Sequence, residues 1–323
     1  MTTRLLGTTE ADLAEAAEIL RAGGLVAFPT ETVYGLGALA DDGTAARRIF
    51  AAKARPARNP LIVHLGEPEA AAAFAVFDAR ARALARAFWP GPLTLVLRLR
   101  PEAAIAPAVT AGLATVAVRV PAHPVARALL LRVARPVAAP SANRSGRPSP
   151  TTAAHVLADL AGRIEAVVDA GPCPVGVEST VVDLSEPARA LLLRPGGLPR
   201  ETIEKVIGPV VDPRGHEPPR SPGLVGRHYA PSKPLRLDAR TVAPDEGLLA
   251  FGRDLPEGAR VVRNLSPGGD LAEAARNLFR MLRELDASDV RAIAVMPIPG
   301  EGLGEAIRDR LRRAALDAGA GDT

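Results

Sequence analysis

Short apolar runs alternate with segments in which apolar residues recur every three or four positions along the first two-thirds of the chain. The short runs are typical of buried strands, and the longer spacing is typical of helices with one buried face. The pattern predicts strands at Leu25–Phe28, Leu61–Leu65, Leu93–Leu99, Val116–Val120, Val137–Ala139, Val167–Val168, Thr180–Leu184 and Leu191–Leu193. It predicts helices at Thr9–Leu20, Thr44–Ala54, Asp78–Phe88, His123–Val133, Thr151–Leu160 and Arg200–Ile207. Alternation of this kind indicates an α/β domain built around a mixed sheet.

The pattern stops at Gly208, and a proline-rich stretch follows up to Pro234. Because such segments are semi-rigid and poorly helical, residues 209–234 are predicted to form a linker. A second unit is predicted beyond it, with strands at Leu235–Leu237, Leu248–Phe251, Val261–Val262 and Ala292–Val295 and helices at Asp270–Leu285 and Gly304–Leu316. Strand–helix repeats in so short a segment indicate a small parallel sheet. We therefore predict domains at 1–208 and 235–323, joined by the linker.

Composition narrows the class of protein. The 323 residues are 47% hydrophobic and 24% charged, which is ordinary for a water-soluble globular protein. A net charge of +4 and 3% aromatic residues give no support for RNA or DNA binding, which relies on concentrated basic residues and stacking rings. The single cysteine, Cys173, excludes an internal disulfide and a multi-cysteine metal site. No apolar run approaches the roughly 18 residues of a membrane span, so we expect a cytoplasmic protein.

Two polar stretches adjoin predicted strands. Residues 29–37 read P-T-E-T-V-Y-G-L-G and follow the first strand, at a position where α/β proteins commonly bind ligands. Residues 53–64 read K-A-R-P-A-R-N-P-L-I-V-H and bring Lys53, Arg55 and Arg58 together. Any one of these cations could simply complement a helix C-terminus, but three of them favour an anion site. The sequence has no P-loop motif, so a triphosphate would need side-chain cations.

The remaining polar stretches are less specific. Residues 136–151, P-V-A-A-P-S-A-N-R-S-G-R-P-S-P-T, taken alone indicate a loop followed by a helix cap. Residues 177–183, V-E-S-T-V-V-D, carry single carboxylates that do not indicate paired acid–base catalysis. Residues 192–197, L-L-R-P-G-G, end a strand with an arginine. Arg119 interrupts an otherwise apolar strand, and a buried charge needs a partner. That partner is either a ligand carboxylate or an acidic residue of the protein.

The order of these stretches is more specific than any one of them. Residues 1 to about 208 resemble the YrdC-like threonylcarbamoyl-AMP synthases through P-T-E-T-V-Y-G-L-G, K-A-R-x-x-x-N-P-L-I-V-H, W-P-G-P-L-T, V-A-V-R-V-P, A-P-S-A-N-x-S-G, E-S-T-V-V-D and R-P-G. The segment S-P-G-x-x-x-R-H-Y-A-P at 221–231, with the small unit after it, resembles the two-domain form of that family. The resemblance implies an α/β fold, a YrdC-like twisted mixed sheet flanked by helices, followed by a small Rossmann-like parallel α/β domain.

The resemblance also implies a nucleotidyltransferase reaction. Such enzymes join L-threonine, bicarbonate or CO2, and ATP into threonylcarbamoyl-AMP and release pyrophosphate, and a separate transferase complex then modifies an adenosine of tRNA. The threonine amine attacks CO2 or bicarbonate and the carbamate attacks the α-phosphorus, so no protein nucleophile is required. The protein has to position the substrates and neutralise charge. Mg2+ would accompany the ATP, and direct tRNA binding would be weak or absent.

The motifs would together form one pocket. The residues implied for L-threonine are Thr32, His64, Arg119, Ala139 (through its backbone) and Ser179. Those implied for ATP are Arg55, Asn59, Thr115, Ser141, Ser149, Arg194 and Tyr229. Catalytic roles near the phosphates are implied for Lys53 and Arg55, which would face solvent and contribute little to folding stability, and no protein metal ligand is implied. One wall would consist of Thr30, Glu31, Thr32 and Tyr34, with Gly35 and Gly37 letting the backbone approach the ligand.

The linker departs from the family pattern. Leu224, Val225 and Gly226 stand where that pattern has Met-Lys-Tyr, so a cation and a ring are lost and Tyr229 would carry more of the nucleotide contact. We expect the linker to close over the ATP pocket as a lid. Two other functions remain open: a double-stranded-RNA-binding module of the same fold, and a regulatory protein that senses ATP or amino acids. Pyrophosphate release that depends on threonine and bicarbonate would distinguish the enzyme from both.

Overall fold

The computed structural model describes residues 2–57, 59–213 and 228–316, and within these ranges the chain builds two sheets. Arg58 and residues 214–227, including the atypical Leu224, Val225 and Gly226, lie outside the described residues. The first sheet contains β1 Arg4–Leu6, β2 Val26–Phe28, β3 Gly35–Leu39, β4 Ile62–His64, β5 Leu93–Arg98, β6 Thr115–Arg119, β7 Val137–Ala138, β8 Ala166–Val168, β9 Thr180–Asp183 and β10 Leu191–Arg194. Around it lie α1 Glu10–Arg21, α2 Gly43–Lys53, α3 Ala79–Phe88, α4 Pro107–Thr110, α5 Pro124–Val133, α6 Ala153–Leu160, α7 Arg200–Ile207 and a 3-10 turn at Pro68–Ala73.

The first sheet is mixed and follows the order β1-β8-β2-β3-β7-β4-β6-β5-β9-β10. Strand β6 shows how its two faces differ, because Val116 and Val118 belong to the main apolar core. Ala117 belongs instead to a smaller apolar cluster, and Arg119 follows it on the same face by the period of two. The register pairs β4 with β6 in parallel and sets His64 beside Arg119. The sheet therefore carries its polar groups on the face opposite the main core.

The second unit is a small parallel sheet with two long helices. Its strands are β11 Leu235–Arg236, β12 Glu246–Ala250, β13 Val261–Asn264 and β14 Ala292–Val295, in the order β11-β14-β12-β13. The helices are α8 Leu271–Ala287 and α9 Leu303–Ala315. Their apolar faces form a core that also takes in Val33 and Val177 from the first unit. The two units therefore share buried apolar surface.

The predicted fold class is confirmed, since a mixed sheet is followed by a parallel one. The helices were well predicted because their caps are encoded locally: Thr9 and Asp12 form a reciprocal capping box at α1. Helix α6 begins at Ala153, two residues later than predicted, because Thr152 caps its first turn. Strands β1 and β3, the short helix α4 and the 3-10 turn were missed. The Gly-Leu-Gly start of β3 lacks the β-branched residues that mark strands. The proposed boundaries of the domains and of the linker remain predictions.

Candidate active site

One cavity lies on the polar face of the first sheet, where β4, β6 and β10 end. All five residues predicted for L-threonine line it: Thr32, His64, Arg119, Ala139 and Ser179. Four of the seven predicted for ATP also line it: Arg55, Ser141, Arg194 and Tyr229. The wall is completed by Thr30, Val33, Gly35, Ile62, Pro140, Glu178 and His228. Motifs from across the first unit, and from the C-terminal part of the linker, therefore meet at one place.

Arg119 has an acidic partner within the protein. Its Nη2 lies 2.7 Å from Oε1 of Glu31, and both side chains are buried. The backbone N–H of Ala122 donates to the other oxygen of Glu31 at 3.1 Å. This pair holds the Arg119 guanidinium, and the side chain still lines the cavity. Arg119 is thus charge-balanced by the fold while its side chain reaches the cavity. Glu31, which was predicted to form part of the wall, lies behind Arg119 and outside the cavity lining.

His64 is held as a neutral imidazole. Its Nδ1 lies 3.1 Å from the carbonyl oxygen of Ile62, which can only accept, so Nδ1 carries the proton and donates. Burial, and then the charge of Arg119, lower the pKa of His64 to about 3. The unprotonated Nε2 is therefore an acceptor beside a guanidinium. Such a pair suits a ligand that offers both a carboxylate and a hydrogen-bond donor.

Ser179 and Arg194 form the neighbouring part of the wall. Arg194 Nη2 donates to the carbonyl oxygen of Ser179 at 2.9 Å, and the Oγ atoms of Ser179 and Thr94 are 2.8 Å apart. Thr94 was not predicted, although it ends the W-P-G-P-L-T motif.

Burial, with the charge of Arg55 close by, lowers the pKa of the Lys53 ammonium well below its usual range. The arginines keep their charge at neutral pH because a guanidinium resists deprotonation.

The cavity wall also contains one carboxylate, Glu178. Ser149 Oγ donates to its Oε1, and Arg310 Nε from helix α9 donates to its Oε2 at 2.8 Å. Burial alone would raise the pKa of Glu178, but the charges of Arg310 and Arg194 outweigh burial and lower it to about 2. Ser149, predicted to hold ATP, is thus placed behind Glu178 and does not line the cavity. No sequence signal distinguishes Arg310 among the arginines of α9.

The structure places Lys53 away from the cavity lining. The side chain is 1% exposed, and Nζ donates to the carbonyl oxygens of Ser141, at 2.6 Å, and Asn143. Lys53 therefore holds the loop that carries Ser141. The expectation that Lys53 and Arg55 face solvent was wrong, since Arg55 is also buried. Helix α2 ends after Lys53 in a left-handed residue, Ala54, so the chain turns and only Arg55 enters the lining.

Two more of the residues predicted for ATP lie outside the lining. Asn59 is buried, and its Oδ1 has no partner among the described residues. Thr115 begins β6 on the same face as Arg119, which places the two about 13 Å apart along the strand. A ligand bound at Arg119 would therefore have to extend about 13 Å along β6 to reach Thr115. Their roles in nucleotide binding remain predictions.

The first polar motif is used differently from the prediction. Tyr34 is buried, and its hydroxyl donates to the carbonyl oxygen of Gly171 at 2.8 Å, so it does not line the cavity. Gly37 lies within β3, where a Cβ would meet the Phe28 ring at 2.8 Å. Its small size therefore serves packing within the protein. Gly35 does line the cavity.

His228 and Tyr229 bring the C-terminal part of the linker into the cavity wall. Tyr229 is held firmly, since its ring stacks on Phe279 of α8 at 5.6 Å and lies 5.1 Å from the guanidinium carbon of Arg310. Its φ of 62° is a left-handed conformation that a tyrosine adopts only under such constraint. A sheet of this topology, with Arg55, Arg119 and Arg194 lining one cavity, defines a class of α/β protein that binds an anionic ligand on its polar face.

Comparison with known proteins places the chain within that class. Residues 18–196 match the family model described as "Telomere recombination", and residues 198–316 match the "Threonylcarbamoyl-AMP synthase, C-terminal domain". The threonylcarbamoyl-AMP synthase of Pyrococcus abyssi is 46% identical over 93% of this chain and 93% of its own. That of Bacillus subtilis is 42% identical over 96% of this chain and 94% of its own. The crystal structure of P. abyssi Sua5 complexed with L-threonine superposes with a TM-score of 0.89 and 43% identity, covering 97% and 98% of the two chains.

The chain belongs to the threonylcarbamoyl-AMP synthase family. The expected family, its YrdC-like fold and its nucleotidyltransferase type of enzyme are thereby confirmed. Within residues 2–57, 59–213 and 228–316, no helix is both long and apolar enough to cross a membrane.

Proposed function

We propose that this protein forms threonylcarbamoyl-AMP and pyrophosphate from L-threonine, bicarbonate or CO2, and ATP, for the threonylcarbamoyladenosine modification of tRNA. The observation that carries the proposal is the meeting of Arg119, a neutral His64 and the buried cations Arg55 and Arg194 in one cavity. The family of the chain supports the same reaction, because relatives at 42–46% identity over most of its length are threonylcarbamoyl-AMP synthases.

The threonine subsite lies at the ends of β4 and β6. Arg119 binds the carboxylate, because its side chain lines the cavity and the ion pair with Glu31 holds it in place. Nε2 of His64 accepts a hydrogen bond from the ammonium or the hydroxyl group, since Nδ1 is occupied. Thr32 and Ser179 supply further hydroxyl groups in the lining. A buried site of this kind rejects valine, which would leave the hydroxyl-binding groups unpaired.

The nucleotide subsite extends from Arg55 to Arg194 and Tyr229. The two guanidinium groups neutralise charge that moves onto the pyrophosphate as it leaves, and Ser141 lies beside them in the wall. Lys53 acts through the loop that carries Ser141, which its ammonium holds by two hydrogen bonds. In this proposal Mg2+ enters with the triphosphate, where it would neutralise phosphate charge. Among the described residues, no group of three or more His, Cys, Asp or Glu is arranged to hold a metal ion.

The product is an activated acyl adenylate that water would hydrolyse. A buried wall that includes His228 and Tyr229 supports protection of this product from solvent. We expect the product to pass to a tRNA threonylcarbamoyl transferase complex, with direct tRNA binding by this chain weak or absent. The modest net charge of +4 agrees with that expectation.

The test is pyrophosphate release by the purified protein with ATP, L-threonine, bicarbonate and Mg2+. We expect release only when threonine and bicarbonate are both present, and little release with valine in place of threonine. Threonine-independent ATP hydrolysis would contradict the proposal. Binding of ATP without pyrophosphate release would favour a regulatory sensor, and salt-dependent binding of double-stranded RNA without threonine dependence would favour an RNA-binding module.

A further inference from the structure

Arg310 of helix α9 belongs to the C-terminal unit, yet it contacts two residues of the cavity wall. Its Nε donates to Glu178 at 2.8 Å, and its guanidinium carbon lies 5.1 Å from the centre of the Tyr229 ring. Nη1 donates to the carbonyl oxygen of Pro195 at 2.9 Å and to Asp309 at 2.6 Å. Arg310 is fully buried and does not line the cavity itself.

The carboxylate that Arg310 contacts lies where a negative charge is unfavourable for ligand binding. Glu178 lines a cavity whose proposed ligands, a carboxylate and a triphosphate, are anions. An unpaired carboxylate there would repel them. It would also attract Arg194, whose charge already acts on Glu178 and which lines the nucleotide subsite. The ion pair with Arg310 offsets the charge of Glu178 from the side that faces away from the ligand.

We propose that Arg310 is a positioning residue of the substrate pocket, through which the C-terminal unit neutralises Glu178 and fixes the ring of Tyr229. This inference rests on the proposed function for the identity of the ligand. The C-terminal unit then completes the charge balance of an active site formed mainly by the first sheet. Arg310 acts through Glu178 and Tyr229 and has no contact with substrate.

The central variant is Arg310→Met, which keeps the aliphatic volume and removes the charge. We expect ATP affinity, measured by calorimetry at about pH 8, to fall by about tenfold, as for coupling within a contacting charge network. The compensating variant Glu178→Gln/Arg310→Met should recover most of that affinity, because no unpaired carboxylate remains. The control is Glu305→Gln, which breaks another ion pair between the units, Glu305 with Arg200 at 2.6 Å, away from the cavity. It should bind ATP as the wild type does.

The dependence on pH separates a charge effect from a packing effect. In Arg310→Met, burial without its counter-charge raises the pKa of Glu178, so ATP affinity should recover as the pH falls from about 8 to 6. The wild type and the double variant should show no such recovery. The charged and titratable groups that surround Glu178 are Arg310 and Asp309 on α9, Arg194 on β10, and His228 and Tyr229 in the linker. Burial lowers the pKa of His228 to about 3 and raises that of Tyr229, so neither changes charge in this range.

If the wild type binds ATP and threonine, either of two results would overturn the inference. One is unchanged ATP affinity in Arg310→Met. The other is a double variant that binds ATP more than tenfold worse than the wild type, which would show that the charge of Glu178 is not what Arg310 controls. In the double variant position 178 carries no charge and Asp309 keeps its ion pair with Arg313 at 2.9 Å, so no buried carboxylate is left without a partner and the variant decides the question even if Arg310→Met does not fold. A wild-type protein that binds neither ligand would instead overturn the proposed function, and the inference with it.

Discussion

The pair Arg119–Glu31 gives the most direct test of the proposed threonine subsite. The perturbation is Arg119→Met, which removes the guanidinium and leaves the carboxylate of Glu31 buried, with the Ala122 N–H as its one donor within the described part of the chain. We expect two separate effects, because Arg119 lies between a structural partner on one side and the proposed ligand on the other. One effect concerns folding stability and the other concerns threonine binding.

The structure sets the size of each effect. Arg119 and Glu31 are 3% and 7% exposed, so removal of one partner leaves a buried charge and should cost about 3–5 kcal/mol of unfolding free energy. Loss of a hydrogen bond to a charged ligand group costs about 1.5–3 kcal/mol, or roughly ten- to a hundredfold in threonine affinity. The proposed ATP subsite lies elsewhere in the cavity, so ATP affinity should change by less than about threefold.

A second variant separates the two roles. In Glu31→Gln/Arg119→Met no charge is left unpaired, so urea unfolding should show most of the lost stability restored. Threonine affinity, measured by calorimetry, should stay low, because the carboxylate of the ligand still lacks its partner. If both ligands lose affinity equally in the single variant, or if the double variant binds threonine normally, Arg119 is a structural residue and the assignment of the subsite is wrong.

Three further predictions follow from buried groups near the cavity. Lys53→Met should lower the unfolding free energy by about 2–4 kcal/mol, because the carbonyl groups of Ser141 and Asn143 lose their donor. A variant that is as stable as the wild type in urea would contradict this prediction. The folded-state pKa of His64 is about 3, below its unfolded value, so its contribution to stability is complete above about pH 6.5 and is lost as the pH falls toward 3. His64→Gln should therefore flatten the decline in urea stability between about pH 6.5 and 5, and an unchanged decline would refute the assignment. Gly176→Ala should destabilise the protein more than Gly171→Ala. Both positions have a φ near +80°, but a Cβ at Gly176 would lie 2.4 Å from the backbone of α8, whereas one at Gly171 would have no atom within 4 Å. Equal melting temperatures of the two variants would show that α8 moves away without cost.

Much of the fold could be predicted because its signals are local. Strand β14 was predicted at its observed bounds, and α7 also, since each is a compact apolar or amphipathic run between breakers. Strand β3 could not be predicted in the same way. Its glycines are buried between β2 and β7, and that pairing is a long-range property that no local propensity expresses.

The sequence motifs indicated which residues lie near the cavity better than they indicated which side chains point into it. Lys53 and Arg55 are two positions apart in one motif, yet only Arg55 lines the cavity. Their difference comes from the left-handed turn at Ala54, which a sequence of Ala-Lys-Ala-Arg does not announce. Ser149 likewise belongs to a polar motif, but its hydroxyl is used by Glu178. A motif therefore indicates which residues are close to a site, whereas backbone geometry decides which of them face the ligand.

The pocket depends on the second unit more than the sequence indicated. Val177 packs into the core of that unit, and the next residue, Glu178, lines the cavity and pairs with Arg310. On the other side Thr32 lines the cavity while its neighbour Val33 joins the same core as Val177. The loops that present the two walls are therefore anchored by α8 and α9, and a shift of either helix would move both walls together. Catalysis that depends on the placement of three substrates within a fraction of an ångström is sensitive to such movement. The C-terminal unit is accordingly part of the framework of the proposed active site, and the chain between the units carries His228 and Tyr229 into the wall of that cavity.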